Sequence, residues 1–273
     1  MSVRSSSSGR RLAPSPVGVL LQHWRRERRM SQLVLSSEAG VTPRHVSFVE
    51  SGRSHPSRDM VLTLARALDV PLRERNELLL AAGYAPIYRE TGLDDEALSQ
   101  VRDALDRVLR HHEPYPAVVM NRYWDVMLTN AAADSMFAWL LDGAEGEQPP
   151  NVIRLMFKKI RSFVSNWEQF GEALVQRVHR EAIGGVSDPT TAALLDEVLA
   201  LPGIPPGWRS PDFGATHLPV LPIHFAKDGF EVSYFSMVTT VGTPQDITLQ
   251  EIRLESFFPA DSRTERHRWA AIL

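Results

Sequence analysis

Between Gln32 and Glu50 the chain places two short amphipathic stretches on either side of Gly40, and the second opens with Thr42-Pro43. Thr42 is a good helix cap, and Pro43 falls in a first turn, where a missing N–H costs nothing. Two short helices joined by a glycine turn have the spacing of a helix-turn-helix, whose second helix enters the major groove by its N-terminal end. The side chains at the outward positions of that second helix suit base edges. Arg44 can donate a bidentate pair to guanine, His45 and Ser47 can reach base edges or phosphate, and Phe48 can pack on a thymine methyl. Gln32, at the start of the preceding helix, is placed for a phosphate, as are Arg53 and the hydroxyls around Ser54 to Ser57. A plain helical bundle would present the same residues as a solvated face, so the combined spacing carries the reading, and no single side chain does.

The elements around this pair complete a small domain. Residues 17–29 read as a helix with Val17, Leu20, Leu21 and Trp24 in an apolar stripe and Arg25, Arg26, Arg28 and Arg29 around its far side. Ser31 caps a second helix to about Ala39, and the third runs from Thr42 to Glu50, burying Val46 and Val49. Ser57 caps a fourth, with Met60, Val61, Leu64, Ala65 and Leu68 inward. Pro71 opens a fifth, which Gly83 stops. This predicts an all-α, five-helix domain over 13–84, after a disordered Ser-rich tail at 1–12 that lacks the apolar run of a signal peptide. A linker and a connecting helix at 93–112 fill 85–115.

From 116 onward the pattern is mixed. Short apolar runs at 117–120 and 125–128 suggest a hairpin. Helical periods follow at 131–141, 152–163, 167–182 and 190–201, then strands at 216–225, 230–241 and 247–258. In the last strand the face carrying Ile252 and Leu254 is the better core candidate. The expectation is an α+β domain with an antiparallel sheet over 116–273.

Charge divides along the same line. Residues 1–80 hold 13 Lys and Arg against 7 Asp and Glu, a net of +6, and the remaining 193 hold 17 against 26, a net of −9. One basic part on an acidic remainder points to an anionic partner for that part only. The absence of cysteine excludes disulfides, thiolate metal sites and cysteine nucleophiles, and it fits a cytoplasmic protein. No apolar run approaches the roughly 20 residues of a membrane span. Asp188, Asp212, His217 and Asp246 are scattered, and no phosphate loop, HExxH pair or nucleophile elbow is present, so the chain does not read as an enzyme. His217 and His224, seven apart in one strand, fall on opposite faces and cannot share a metal.

The stretch 17–83 resembles the DNA-binding domain of Xre-like repressors, the Cro and phage-repressor group. The resemblance rests on Ser31-Gln32, Ala39-Gly40-Val41-Thr42, the run from His45 to Arg53, and Pro56-Ser57. It implies that Glu50 anchors the loop that follows it. Ser36 and Ser37 depart from the small apolar residues common in that corner. The remainder resembles the ligand-binding domain of MmyB-like transcription regulators, through the run from Asp125 to Ala133, Asn151 to Phe157, Asn166-Trp167-Glu168, Arg177, Gly242-Thr243, and Leu249 to Glu255 with Phe257-Phe258-Pro259. This second resemblance implies a PAS-like domain enclosing an apolar pocket for a fatty acid or other lipid-like compound. Met127, Met136, Phe137, Met156, Phe157, Phe163 and Trp167 are the residues to line it, although they would equally fill an ordinary core. Asn130, Arg154 and Arg177 are candidate polar handles for a carboxylate, or else helix caps and partners of Glu168 and Glu172. Taken together, the expectation is a sequence-specific regulator, a homodimer on a palindromic operator in double-stranded DNA, controlled by a small hydrophobic ligand. The alternative is a second domain that binds a protein partner or only dimerises.

Overall fold

A computed structural model describes residues 15–143, 149–183, 188–209, 220–267 and 269. The tail at 1–12, together with Asp212, His217 and the start of the strand expected at 216, lies outside the described residues. The chain divides into two compact units between Arg89 and Glu90.

The first unit consists of α1 (Pro16–Glu27), α2 (Gln32–Glu38), α3 (Pro43–Glu50), α4 (Arg58–Ala67) and α5 (Leu72–Ala81). The first four helices begin with a hydroxyl cap. The Ser15, Ser31, Thr42 and Ser57 oxygens accept from the backbone N–H groups of Gly18, Val34, His45 and Met60 at 3.1–3.3 Å, each cap contributing about 1 kcal/mol. Gly40 turns between α2 and α3 at a φ of 66°, a conformation that glycine adopts without strain. Val17, Leu21, Trp24, Leu35, Val46, Val49, Val61 and Leu64 form the core. Ser36 is buried among them and donates its hydroxyl to the Leu33 carbonyl at 2.8 Å, so a serine is satisfied there. Gly18 lets α1 approach α3 closely, because a Cβ at that position would sit 2.6 Å from the Glu50 carbonyl oxygen. After α5, the Asn76 carboxamide holds the backbone of Ile87 and Tyr88 with three hydrogen bonds of 2.8–3.1 Å.

The second unit opens with a 3-10 turn (Glu96–Leu98) and α6 (Ser99–His111), followed by β1 (Ala117–Met120), β2 (Val126–Thr129) and α7 (Ala131–Leu141). Next come α8 (Val152–Leu155), which continues through a π turn (Met156–Ile160), then α9 (Trp167–Ile183) and α10 (Pro189–Leu199). The unit ends with β3 (Ile223–Lys227), β4 (Phe230–Thr239), α11 (Ile247–Glu251), β5 (Arg253–Pro259) and α12 (Ser262–Glu265). All strand pairs are antiparallel, in the order β2-β1-β5-β4-β3. The sheet is covered on both faces. Leu93, Leu105 and Leu109 pack with Ala117, Val119, Ile252 and Leu254 on one face. Val118, Met120, Tyr234 and Phe225 face the larger core made with α7 to α10 on the other. Full coverage explains why β1 is an unbroken apolar run, with every residue buried.

Three expected elements differ, the first being the strand expected at 216–225, which among the described residues begins only at Ile223. The helix expected at 93–112 starts at Ser99 and belongs to the core of the second unit, where its leucines cover the sheet. Residues 247–258 are not one strand: the Asp246 carboxylate accepts from Thr248 N at 2.9 Å and caps α11, and extended backbone resumes only at Ile252. That carboxylate also accepts from the Thr91 hydroxyl at 2.7 Å and its N–H at 3.2 Å, which ties the start of the second unit to the helix leading into β5.

Candidate functional site

On the first unit, Thr42, Pro43 and Arg44 are exposed at the N-terminal end of α3, and Ser47 and Phe48 follow, half-buried. The Arg44 and Arg53 guanidinium carbons lie 5.0 and 5.7 Å from the Phe48 ring centroid. Phe48 is therefore a platform that steadies two cations, whose charges remain in solvent. The backbone N–H groups of Arg53 and Ser54 donate to the Phe48 carbonyl at 2.8 and 3.1 Å and close the loop below. His45 is turned inward: its Nε2 is buried without a hydrogen-bond partner among the described residues, so it is poorly placed for a base edge. Ser57 is exposed and caps α4, with its oxygen already accepting from Met60 N.

Glu50 has a different role from the one implied by the resemblance. Its carboxylate does not hold the following loop. It accepts from Arg25 Nε at 2.6 Å and Nη2 at 2.9 Å, and from Gln32 Nε2 at 2.8 Å. The Glu50 side chain is 3% exposed and that of Arg25 12%. The hydrogen bond from Arg25 to Glu50 holds this guanidinium above its ordinary value, although burial opposes the shift. One carboxylate thus ties α1 and α2 to the end of the recognition helix, in a bidentate geometry. Gln32 spends one amide hydrogen on this lock, which fixes its side chain at the start of α2.

The second unit holds a cavity of about 260 Å³ between the sheet and helices α7, α8 and α9, just below the roughly 300–1,000 Å³ usual for small-molecule sites. Met136, Phe137, Leu140, Met156, Ile160 and Leu174 supply apolar walls, and Arg177, Arg180, Ser236 and Glu255 supply the polar part. Both Met156 and Ile160 come from the π turn, an irregularity that often marks functional positions in helices. Arg177 stacks 4.5 Å from the Trp124 ring centroid and donates Nη1 to Glu255 at 3.2 and 3.3 Å. Ser236 donates at 2.5 Å to Glu255 Oε1, an oxygen that Arg177 also reaches. Arg180 is exposed, one turn further along the same face of α9. Tyr234 also lines the cavity. Burial pushes its phenol up to about 12 against the opposing hydrogen bond from Trp269 Nε1, 2.8 Å away, so it stays neutral.

Of the residues expected around a pocket, the structure brings Met136, Phe137, Met156 and Arg177 together at this cavity. It places the others elsewhere, for identifiable reasons. Met127 packs with the α6 cluster on the opposite face of the sheet. Asn130 caps α7 and bridges to Ala117 N and to the Leu109 and Tyr115 carbonyls. Arg154 pairs with Glu197, whose carboxyl is held below its ordinary value by hydrogen bonds from Lys158 and then Arg154, against burial. Phe157 and Trp167 pack on each other and on Trp208, and Phe163 lies under the Lys227 ammonium at 4.9 Å. Trp124, Arg180, Ser236 and Glu255 were not anticipated. The one signal for Glu255 was its alternation with Leu254, which reads as a solvent-facing position when only one sheet face is expected to be covered.

Among the described residues no helix is long and apolar enough to cross a membrane, and no group of three or more acidic or histidine side chains is placed to hold a metal. Two family profiles match the chain: Helix-turn-helix at residues 21–75, and MmyB-like transcription regulator ligand binding domain at residues 101–270. No curated protein matches. Among solved structures, one titled "Structure of an RNA-binding Light-Oxygen-Voltage Receptor" aligns at 12% identity over 94% of this chain and 61% of that one, with a TM-score of 0.28. That likeness is too low to carry an argument. The two family profiles fall on the two units separately, the first on the capped helix pair and the second on the cavity-bearing sheet. Neither is an enzyme family, and because the second spans more than half of the sequence, the chain belongs to the MmyB-like transcription regulators, with an Xre-like DNA-binding unit at its amino-terminal side.

Proposed function

We propose that this DNA-binding regulator acts as a homodimer on a palindromic operator in the cytoplasm, and that an amphiphilic, fatty-acid-like molecule in the cavity sets its affinity for DNA. The observation that carries the ligand reading is the pairing of an apolar cavity with two arginines on one face of α9 at its polar end. Long apolar walls suit an alkyl chain, and a guanidinium suits a carboxylate head. The dimer follows from information content: one recognition helix reads too few base pairs to be selective, and two half-sites about one helical turn apart supply the rest. A route for coupling runs through β5, which carries Glu255 at the cavity, to α11 and the Asp246–Thr91 tie. Two residues separate Thr91 from Tyr88, which is held by Asn76.

The test is native mass spectrometry of the purified chain, then denaturing extraction of anything bound and DNA titration with and without it. The expected result is a dimer carrying a lipid-sized mass, whose removal or return shifts the midpoint on a palindromic operator at least tenfold. A dimer that never carries an adduct, and whose DNA affinity is indifferent to added alkanoates, would overturn the ligand reading in favour of a protein partner. A monomer on a single half-site would overturn the dimer.

A further inference from the structure

The polar end of the cavity contains a feature that a simple carboxylate head does not use. Glu255 lies in the wall with its side chain 10% exposed. An ionised carboxylate offers about four acceptor positions. Arg177 Nη1 reaches both oxygens and Ser236 one, which fills three. Glu255 therefore keeps acceptor capacity on Oε2. Arg177 is largely neutralised by this pair and pinned against Trp124. Arg180, three residues along α9, pairs with no acidic residue among those described, and its neighbour on that face is Arg177, with about 5–6 Å expected between their Cβ atoms.

This lining suits an acidic group at Arg180, a hydrogen-bond donor at Glu255 and an apolar chain against the remaining walls. Resting on the reading of the cavity as an amphiphile site, we infer that its ligand is a hydroxylated fatty acid bearing the hydroxyl close to the carboxylate, as in a 3-hydroxyalkanoate, and that Glu255 selects it by accepting that hydroxyl. A plain alkanoate offers Glu255 no donor for that open position. A hydrogen bond to a charged acceptor at a half-desolvated site corresponds to about a tenfold preference.

The experiment is titration calorimetry of dodecanoate and 3-hydroxydodecanoate against the delipidated full chain. The hydroxylated probe should bind about tenfold more tightly. In Glu255→Gln, with folding checked by near-ultraviolet circular dichroism, the two affinities should converge to within about twofold, because a neutral carboxamide accepts the hydroxyl more weakly than a carboxylate does. Ser236→Ala removes a competing donor without touching the carboxylate, so the preference should persist or grow, and this variant carries the test if Glu255→Gln does not fold. Equal binding of the two probes to the wild type overturns the inference and leaves the amphiphile site standing, as does a preference that survives Glu255→Gln. Loss of the preference in Ser236→Ala transfers the hydroxyl to Ser236 and also overturns it. Failure of both probes to bind overturns the amphiphile site itself.

Discussion

The two units bury their charges for opposite ends. In the first, the ion pair Arg25–Glu50 lies behind the exposed end of α3, and Arg44 and Arg53 stand outside it on the Phe48 ring. In the second, the pair Arg177–Glu255 itself lines the cavity. Each carboxylate accepts three hydrogen bonds, so what differs is the surroundings: Glu50 is closed in by α1 and α2, whereas Glu255 borders a cavity.

The largest expected effect tests the lock. Glu50→Ala leaves the Arg25 guanidinium buried without its partner, and truncation of one member of such a pair costs about 3–5 kcal/mol. Hydrogen exchange should accelerate throughout residues 16–81 while α9 and the sheet remain protected, and operator binding should fall with it. Uniform acceleration across both units would mean that the pair does not act locally. The next effect compares backbone with side-chain crowding. A Cβ on Gly18 would meet the Glu50 and Val49 carbonyl oxygens at 2.6 and 2.7 Å, whereas one on Gly171 would meet the Trp208 and Trp167 rings at 2.6 and 2.9 Å. Rings can shift and a helix backbone cannot do so cheaply. Gly18→Ala should therefore cost about 2–3 kcal/mol and Gly171→Ala about 1 kcal/mol by chemical denaturation. The reverse order would show that α1 and α3 separate more easily than the tryptophans repack.

The same contrast explains what could be read in advance. Caps, the glycine turn and the recognition helix are local in sequence, so Ser31, Gly40, Thr42 and Ser57 announce their elements directly. The hairpin at β1 and β2 and the helix α7 were equally legible. The cavity was legible only in part, at Met136, Phe137, Met156 and Arg177; Ser236 and Glu255 lie on separate strands and are of types that ordinarily indicate solvent. Residues 247–251 alternate as a strand would, and a single carboxylate, that of Asp246, turns them into a helix. Met127 was misplaced because a sheet covered on both faces gives no periodic sign of which face meets the ligand.

Beside α3, Arg44 and Arg53 share one ring yet should behave differently. Arg44→Ala should cost about tenfold on the operator and relax selection at one base position, as expected for a bidentate base contact. Arg53→Ala should weaken operator and random DNA alike and reduce the salt slope by about one. Equal loss on operator and random DNA for Arg44→Ala would remove it from base reading. Phe48→Ala takes the platform from both arginines and should combine the two phenotypes.

The smallest effect lies at the far end of the second unit, where a titratable group sits in a wall that does not use it. His267 packs against Phe230 and Trp269, with ring centroids 4.5 and 4.7 Å away, and its Nε2 has no partner among the described residues. Burial holds its pKa below the ordinary 6.5, so the folded state prefers the neutral ring. The sign follows from proton binding: between the unfolded value and the lower folded one, the unfolded chain binds more protons. Its contribution to stability is therefore complete above about pH 6.5 and is lost as the pH falls through the folded value. The denaturation midpoint of the second unit should decline from pH 7.5 to 5.5, and His267→Phe should flatten that decline. An unchanged slope in His267→Phe would show that this ring does not set the acid sensitivity of the unit.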